Sequence, residues 1–407
     1  MLRSMYSGIS GMKNFQTKLD VIGNNIANVN TYGYKKGRVT FQDLMNQTVS
    51  GASRATANRG GQNAKQIGLG STVATIDVIS TQGSMQTTGR ALDVGISGDG
   101  YFVVRQGNNE MFTRAGNFYL DSEGRLVTGQ GQLVQGYGMS ADGTINQTAL
   151  NDIVIDTDTT MAPQATSNLS LKGNLKNSQP GNEQEVIDFK VKDSLGQDLD
   201  LRIVLTNNGD NTWAYEVTST SAGVSFEGDS VTGTLKFDSE GAFVSGSNQF
   251  TLNLTNNAES GQTINLDLSK LTQFDSSTSA NIDTVDGNSE GYLESFNIGS
   301  SGEVNGVFSN GEVRVLSQLV LATFSNSGGL MKAGSNLFQQ SNNSGLPNYG
   351  VASEGRGSLL SGALEMSNVD LSEEFTEMIT AQRGFQANTR IITTSDEILQ
   401  ELINLKR

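Results

Sequence analysis

Two stripes of apolar residues at helical spacing stand at opposite ends of the chain. Near the start, Met5, Met12, Leu19 and Ile26 recur every seven residues, and Gly8, Phe15, Ile22 and Val29 follow each of them by three. Near the end, Leu371, Met378, Phe385, Ile392 and Leu399 keep the same interval, with Phe375, Ile379, Ile391, Ile398, Leu402 and Ile403 beside them. A seven-residue repeat with two apolar positions is the pattern of a coiled-coil seam. It predicts terminal helices within 1–30 and 366–407 that pair with each other. Asp370 and Ser372 stand where an N-cap belongs, and Glu373, Glu374 and Glu377 follow near the positive end of the helix dipole. Lys406 and Arg407 finish the pattern at the negative end. The stripes are too wide for two helices to cover both, so the leftover faces require further copies of the chain.

Between the stripes the period falls to two. "STVATIDVIS", "ALDVGISGDGYFVV" and "GRLVTGQGQLVQGYG" are short strand-like runs, punctuated by turn signals at Asp99-Gly100, Glu123-Gly124 and Asp142-Gly143. From 150 to 285 the alternation sharpens. Ile187, Phe189 and Val191 share a face, as do Leu199, Leu201, Ile203 and Leu205, then Phe250, Leu252 and Leu254, then Ile264, Leu266 and Leu268. This predicts half-buried antiparallel sheet. Strands return after 285, with Asn305-Gly306 and Asn310-Gly311 as hairpin turns. Residues 46–70, rich in Gly, Asn, Ser and Ala, read as a linker or an extended, irregular arm. The predicted architecture is mainly β with terminal helices, and it is nested. A helical core (1–30 and 366–407) leads through a linker (31–70) to an inner β domain (71–149 and 286–365). An outer β domain (150–285) is inserted within it.

Composition supports this outline and narrows the chemistry. A chain of 407 residues suggests two or three domains. There is no cysteine and no histidine, which removes disulfides, thiolate sites and the commonest general base and metal ligand. The net charge of −15 argues against binding a phosphate backbone. The charge is uneven: residues 1–70 hold nine Lys/Arg against two Asp/Glu, and residues 361–407 hold four against eight. The ends therefore complement each other or neighbouring subunits. No leader pattern and no apolar run of membrane-spanning length is visible, so a soluble protein without membrane insertion is expected.

The motifs give little to a catalyst. "GNSEG" (287–291) fits a nucleophile pattern around Ser289, but no strand leads into a helix there and no His could activate the Ser. "GLGSTV" lacks the Lys of a phosphate loop. Asp156 with Asp158, or Asp283 with Asp286, could face a hard cation, yet without EF-hand spacing they read as loop acids. No enzymatic activity, cofactor or metal is expected.

Three long motifs carry a resemblance. "NNIANVNTYGYKK" (24–36) contains Asn24, Asn25, Ala27, Asn28, Asn30, Thr31, Gly33 and Tyr34. "FTRAGNFYLDSEGRLV" (112–127) and "MITAQRGFQANTRIITTSDEILQELINLKR" (378–407) are the others. Together they resemble the axial proteins of the bacterial flagellum, over roughly 1–150 and 290–407. Residues 306–338 and the long middle are most similar to the hook proteins of that family. The resemblance implies a subunit that polymerises into a curved hollow tube, a universal joint passing motor torque to the filament. It implies terminal helices lining the core against their neighbours, and β domains outside. It also implies an extracellular place in the flagellum, reached through the flagellar export apparatus without a cleaved leader. The implied partners are the chain itself and the distal rod, hook cap and hook–filament junction proteins, with no nucleic acid. Two other readings stand beside it: a straight distal rod subunit, and a secreted β-rich binding module with helical stalks.

Overall fold

The computed structural model describes residues 2–405, apart from 56–58, 140–143, 157, 178–183, 222–223, 227–230, 247, 255–257 and 259–260. Helix α1 spans Leu2–Ala27 and helix α2 spans Leu371–Asn404. Of the two expected caps, Asp370 is the one that caps α2. Its carboxylate accepts from the Ser372 and Glu373 N–H groups at 2.8 and 3.3 Å, satisfying donors that have no partner within the helix. Ser372 lies in the first turn, and Lys406 and Arg407 lie outside the described residues.

The chain forms two compact units. The first comprises Met1–Asp156, Phe296–Asn305 and Val315–Arg407, and the second Thr157–Ser295 and Gly306–Arg314. The terminal helices thus share a unit with the inner strands. The second unit runs from 157 to 295, where the alternation suggested 150 to 285. The reason is in the pairing. Asn151–Asp152 pairs with Gln135–Gly136, and the Ile155 N–H donates to Gly124 O, which holds 151–155 in the first unit. Thr160–Met161 pairs with Gly291–Tyr292, which draws that later stretch into the second.

In the first unit, Tyr101–Gln106 pairs with Asn109–Thr113, Leu133–Gly138 and Val313–Thr323. Tyr101, Val103, Phe112, Val320 and Phe338 pack into one core behind them. A ribbon of Gly37–Asp43 and Ser71–Val78 leaves the end of α1, and Phe41 packs on Phe15 with ring centroids 6.3 Å apart. The segment expected to be an irregular arm continues as paired strands, Asn46–Ser50 with Lys65–Gly68, every residue of them exposed. Pairing satisfies their backbone groups without a core.

In the second unit two five-stranded sheets enclose a core of Trp213, Phe189, Leu201, Ile203, Leu266 and Leu268. Along Asp198–Gly209 buried and outward positions alternate, as the sequence pattern requires. One expectation fails: Asn168–Lys176 pairs with Gln262–Phe274 in parallel. Side-chain alternation reports which face is buried, not strand direction. Here the chain builds the other sheet before returning, a crossover that permits parallel pairing.

The turn signals have mixed outcomes. Glu123-Gly124 closes the hairpin of Phe118–Leu120 and Leu126–Thr128, and Gly311 turns between Glu303–Phe308 and Val313–Thr323. Asn305-Gly306 is not a turn. It lies inside Glu303–Phe308, where Val304, Gly306 and Phe308 are buried in alternation, and the turn falls at 299–302 instead. Asp142-Gly143 lies outside the described residues.

Candidate assembly site

Helices α1 and α2 pair antiparallel. Lys18 Nζ meets Glu377 at 3.1 Å, Asn25 Nδ2 donates to Glu374 Oε2 at 3.1 Å, and Thr389 Oγ1 lies 3.3 Å from Met12 Sδ. Small residues set their close approach. A Cβ at Gly8 would stand 3.4 Å from Asn388 O and Ile392 Cγ1, one at Gly11 would meet the Asn388 side chain at 2.9 Å, and one at Gly384 would meet the Phe15 ring at 2.5 Å. Among the described residues of α2 only Glu374, Ala381 and Ser395 are buried.

The expected apolar seam therefore lies differently from the simple heptad picture. On α1, Gly8 and Ile22 are buried, while Met5, Met12, Phe15, Leu19, Ile26 and Val29 are half-buried. On α2, Met378, Phe385, Ile392 and Leu399 are half-buried. Leu371, Phe375 and Ile379 are 39, 50 and 59% exposed, and Ile391, Ile398 and Ile403 are exposed as well. The Leu402 side chain lies outside the described residues. The pair closes through glycine, alanine and polar residues, and much of the apolar stripe faces outward. The signal for this was the small residues Gly8, Gly11, Ala381 and Gly384, which a search for large apolar side chains passes over.

After α1 the signature stretch folds on itself. Tyr34 OH donates to Asn24 Oδ1 at 2.7 Å, Asn28 Nδ2 donates to Asn24 O at 2.9 Å, and Thr31 Oγ1 to Asn28 Oδ1 at 3.2 Å. Asn25 is buried and bridges the turn to the ribbon, donating to Gly37 O and accepting from Gly37 N, both at 2.9 Å. Gly33 has φ +68°, and a Cβ there would stand 2.6 Å from the Arg114–Ala115 backbone. Ala27 and Asn30 are exposed.

The turn is anchored by a buried ionic cluster that the sequence did not reveal. Lys35 Nζ donates to Glu365 Oε1 at 2.6 Å and to Thr81 O at 2.9 Å. Arg114 Nη1 meets Glu365 Oε2 at 3.3 Å, and its Nη2 donates to Gly98 O at 2.9 Å. The Lys35 and Glu365 side chains are 0% exposed and that of Arg114 3%. Burial pushes the Lys35 ammonium below its ordinary value, and Glu365 opposes that shift. Around the cluster, the Gly33 N–H donates to Glu365 O at 2.8 Å, Lys332 Nζ to Lys35 O at 3.0 Å, and Asn336 Nδ2 to Tyr32 O at 3.0 Å. Asn368 accepts from Lys36 N at 2.8 Å. Arg114 lies in the quoted "FTRAGNFY" run, but nothing in the spacing pairs it with residues 35 and 365.

The remaining candidates are structural. Asn288 beside Ser289 pairs with Gln164 in a bridge. Asp283 lies between Lys172 and Lys270 at 2.5 and 2.6 Å, which pull its carboxyl down to about 2. Asp286 accepts from the Ser167 and Asn168 N–H groups at 2.8 and 2.9 Å. Asp156 and Asp158 are exposed. Among the described residues no group of three or more His, Cys, Asp or Glu is placed to hold a metal, and no helix is long and apolar enough to cross a membrane.

Family models match along most of the chain: flagella basal body rod protein at 5–35, the flagellar hook protein FlgE/F/G D1 domain at 95–170, the flagellar basal body protein FlaE D2 domain at 158–288, and the flagellar basal body rod FlgEFG protein C-terminal at 360–405. The chain is 42% identical to the flagellar hook protein FlgE of Borreliella burgdorferi, with all of both chains covered. It is 39% identical to the flagellar basal-body rod protein FlgG of Bacillus subtilis, again over all of both. It is 35% identical to the hook protein FlgE of Salmonella typhimurium over 99% of this chain and 100% of that one. A solved Helicobacter pylori hook protein FlgE2 has a similar fold, with a TM-score of 0.53 at 17% identity, covering 69% of this chain and 100% of that one.

Proposed function

The chain belongs to the flagellar hook and basal-body rod protein family, and from that membership we propose that it is the structural subunit of the bacterial flagellar hook. The observation that carries the reading is the full-length match to hook proteins, from one terminal helix to the other. The subunit polymerises with its own copies into a curved tube that passes torque from the motor to the filament. It catalyses nothing. Its place is outside the cell, reached through the flagellar export apparatus, between the distal rod and the hook–filament junction, with a cap protein at the growing end.

The helix pair supports this mechanism. Leu371, Phe375, Ile379, Ile391, Ile398 and Ile403 are left exposed. Covering them with neighbours stabilises by about 1.5–3 kcal/mol for each side chain fully buried, on the order of 10 kcal/mol before ordering costs. The ionic cluster at Lys35, Glu365 and Arg114 ties the helix pair to the inner strands, so force on the helices reaches the β layers through a fixed joint.

Phe375→Asp tests the reading. Phe375 is half exposed in the subunit, so the purified chain should fold as wild type. A carboxylate in a contact that excludes water should nevertheless stop sedimentation of polymers and leave cells non-motile. Normal polymers from this variant would remove the helices from the assembly core. The similarity to the rod protein FlgG supports a second reading, a distal rod subunit. Electron microscopy of the polymers separates the two, since straight, stiff tubes would favour the rod.

A further inference from the structure

Opposite the buried Ala381, helix α2 carries charges with no partner of their own. At ~100° per residue, Ile379, Arg383, Arg390, Glu397 and Glu401 fall within a band of about 40° on the far side of the helix. All five are exposed. The band is bipolar, with two cations followed by two anions. The positions three and four residues away from Arg383 hold Ile379, Thr380, Gln386 and Ala387, and those around Arg390 hold Gln386, Ala387, Thr393 and Thr394. Those around Glu397 hold Thr393, Thr394, Gln400 and Glu401, so no intrahelical ion pair is open to any of them and Glu397 faces a like charge at Glu401. Among the described residues none of the four makes an ion pair, in contrast to Lys18 with Glu377 and Lys36 with Glu373.

We propose that this band is a registration surface for a second copy of the chain, in which Arg383 and Arg390 of one α2 meet Glu397 and Glu401 of a parallel neighbour. The pairing 383 to 397 needs a shift of 14 residues and 390 to 401 a shift of 11, roughly 16–21 Å along the helix. Long Arg and Glu side chains span that difference. A parallel, shifted contact repeats from copy to copy and leaves both ends open, whereas an antiparallel contact on a two-fold axis closes at two copies. The proposal rests on the hook reading and adds to it the register between subunits.

The test compares the critical concentration for sedimentable polymer among full-length purified chains. Arg383→Glu with Arg390→Glu should raise it about ten-fold, since two attractive contacts become repulsive. Glu397→Lys with Glu401→Lys should do the same, and the four changes together should restore it. Circular dichroism of each monomer verifies the helices. Either double reversal polymerising as wild type, or four changes that fail to restore it in folded chains, would overturn the proposal. If the reversals are silent while Phe375→Asp blocks assembly, the hook reading stands and the register falls. Because the chain has no cysteine, oxidised mixtures of single-cysteine chains give the geometry. Crosslinks of R383C to E397C and of R390C to E401C are expected, and R383C to E401C with R390C to E397C would show the antiparallel contact and refute it.

Discussion

At the residue scale, the junction after α1 depends on a few buried polar groups. Glu365→Gln keeps the shape of the side chain but leaves the Lys35 and Arg114 cations without their counter-charge at positions closed to water. Breaking one partner of a buried ion pair typically costs about 3–5 kcal/mol. The first unit should therefore melt earlier by calorimetry, while the transition of the second stays in place. Gly33→Ala should also destabilise the first unit. It forces a Cβ into the left-handed region and onto the Arg114 backbone, at a cost of at least about 1–2 kcal/mol. Glu374 gives a pH dependence. Burial raises its carboxyl above the ordinary value, against the Asn25 hydrogen bond and the Lys36 charge, while Glu373 and Glu377 raise it further. A raised folded-state value contributes stability below the unfolded value that is lost as pH rises through the folded one. Acid should therefore tighten the helix pair, and Glu374→Gln should hold its midpoint nearly constant over that interval of a thermal titration.

At the scale of elements, the helices are unequal partners. The contacts of α1 reach α2 from Glu374 to Ile392, and the last turns of α2, with exposed Ile398 and Ile403, lie past them. In the free subunit, amide exchange should be fastest beyond Glu397 and slower between Glu374 and Ile392. In the polymer the whole of α2 should be protected. Unchanged exchange at the end of α2 on polymerisation would place its exposed apolar residues outside the subunit contact. The ribbon of 37–50 and 65–78 follows another logic. Its inner part packs Phe41 on Phe15, and its outer part buries nothing, so protease should enter near 51–64 first.

At the scale of the whole molecule, two units with separate cores predict two transitions. The core of the second lies within 169–285. Residues 158–295 expressed alone should fold and unfold cooperatively, and a disordered spectrum would show that the core needs 306–314 or the first unit. Asp283 belongs to this unit. Its carboxyl is lowered to about 2 by Lys172 and Lys270. Its contribution is present above the ordinary carboxylate value and lost as pH falls through the folded one. In acid below about pH 4 the fragment should lose stability, and less so with Asp283→Asn.

The sequence by itself determined the elements whose side chains meet a single requirement. Period seven marked α1 and α2, period two marked the inner faces at Leu199, Leu201, Ile203 and Leu205, and Asp370 marked the start of α2. Each follows from local geometry and from which side must avoid water. Tertiary structure alone decided the rest, because it depends on what arrives from elsewhere in the chain. It placed Gly8, Gly11 and Gly384 in the seam and turned Phe375 and Ile379 outward. It put Gly306 in a strand, since its neighbours Val304 and Phe308 are buried, and laid Asn168–Lys176 parallel to Gln262–Phe274. It also brought Lys35, Arg114 and Glu365 together from three distant segments. An ion pair in a dry interior is set by the exclusion of water and by partners 251 and 330 residues apart, and no periodicity of the chain records that distance.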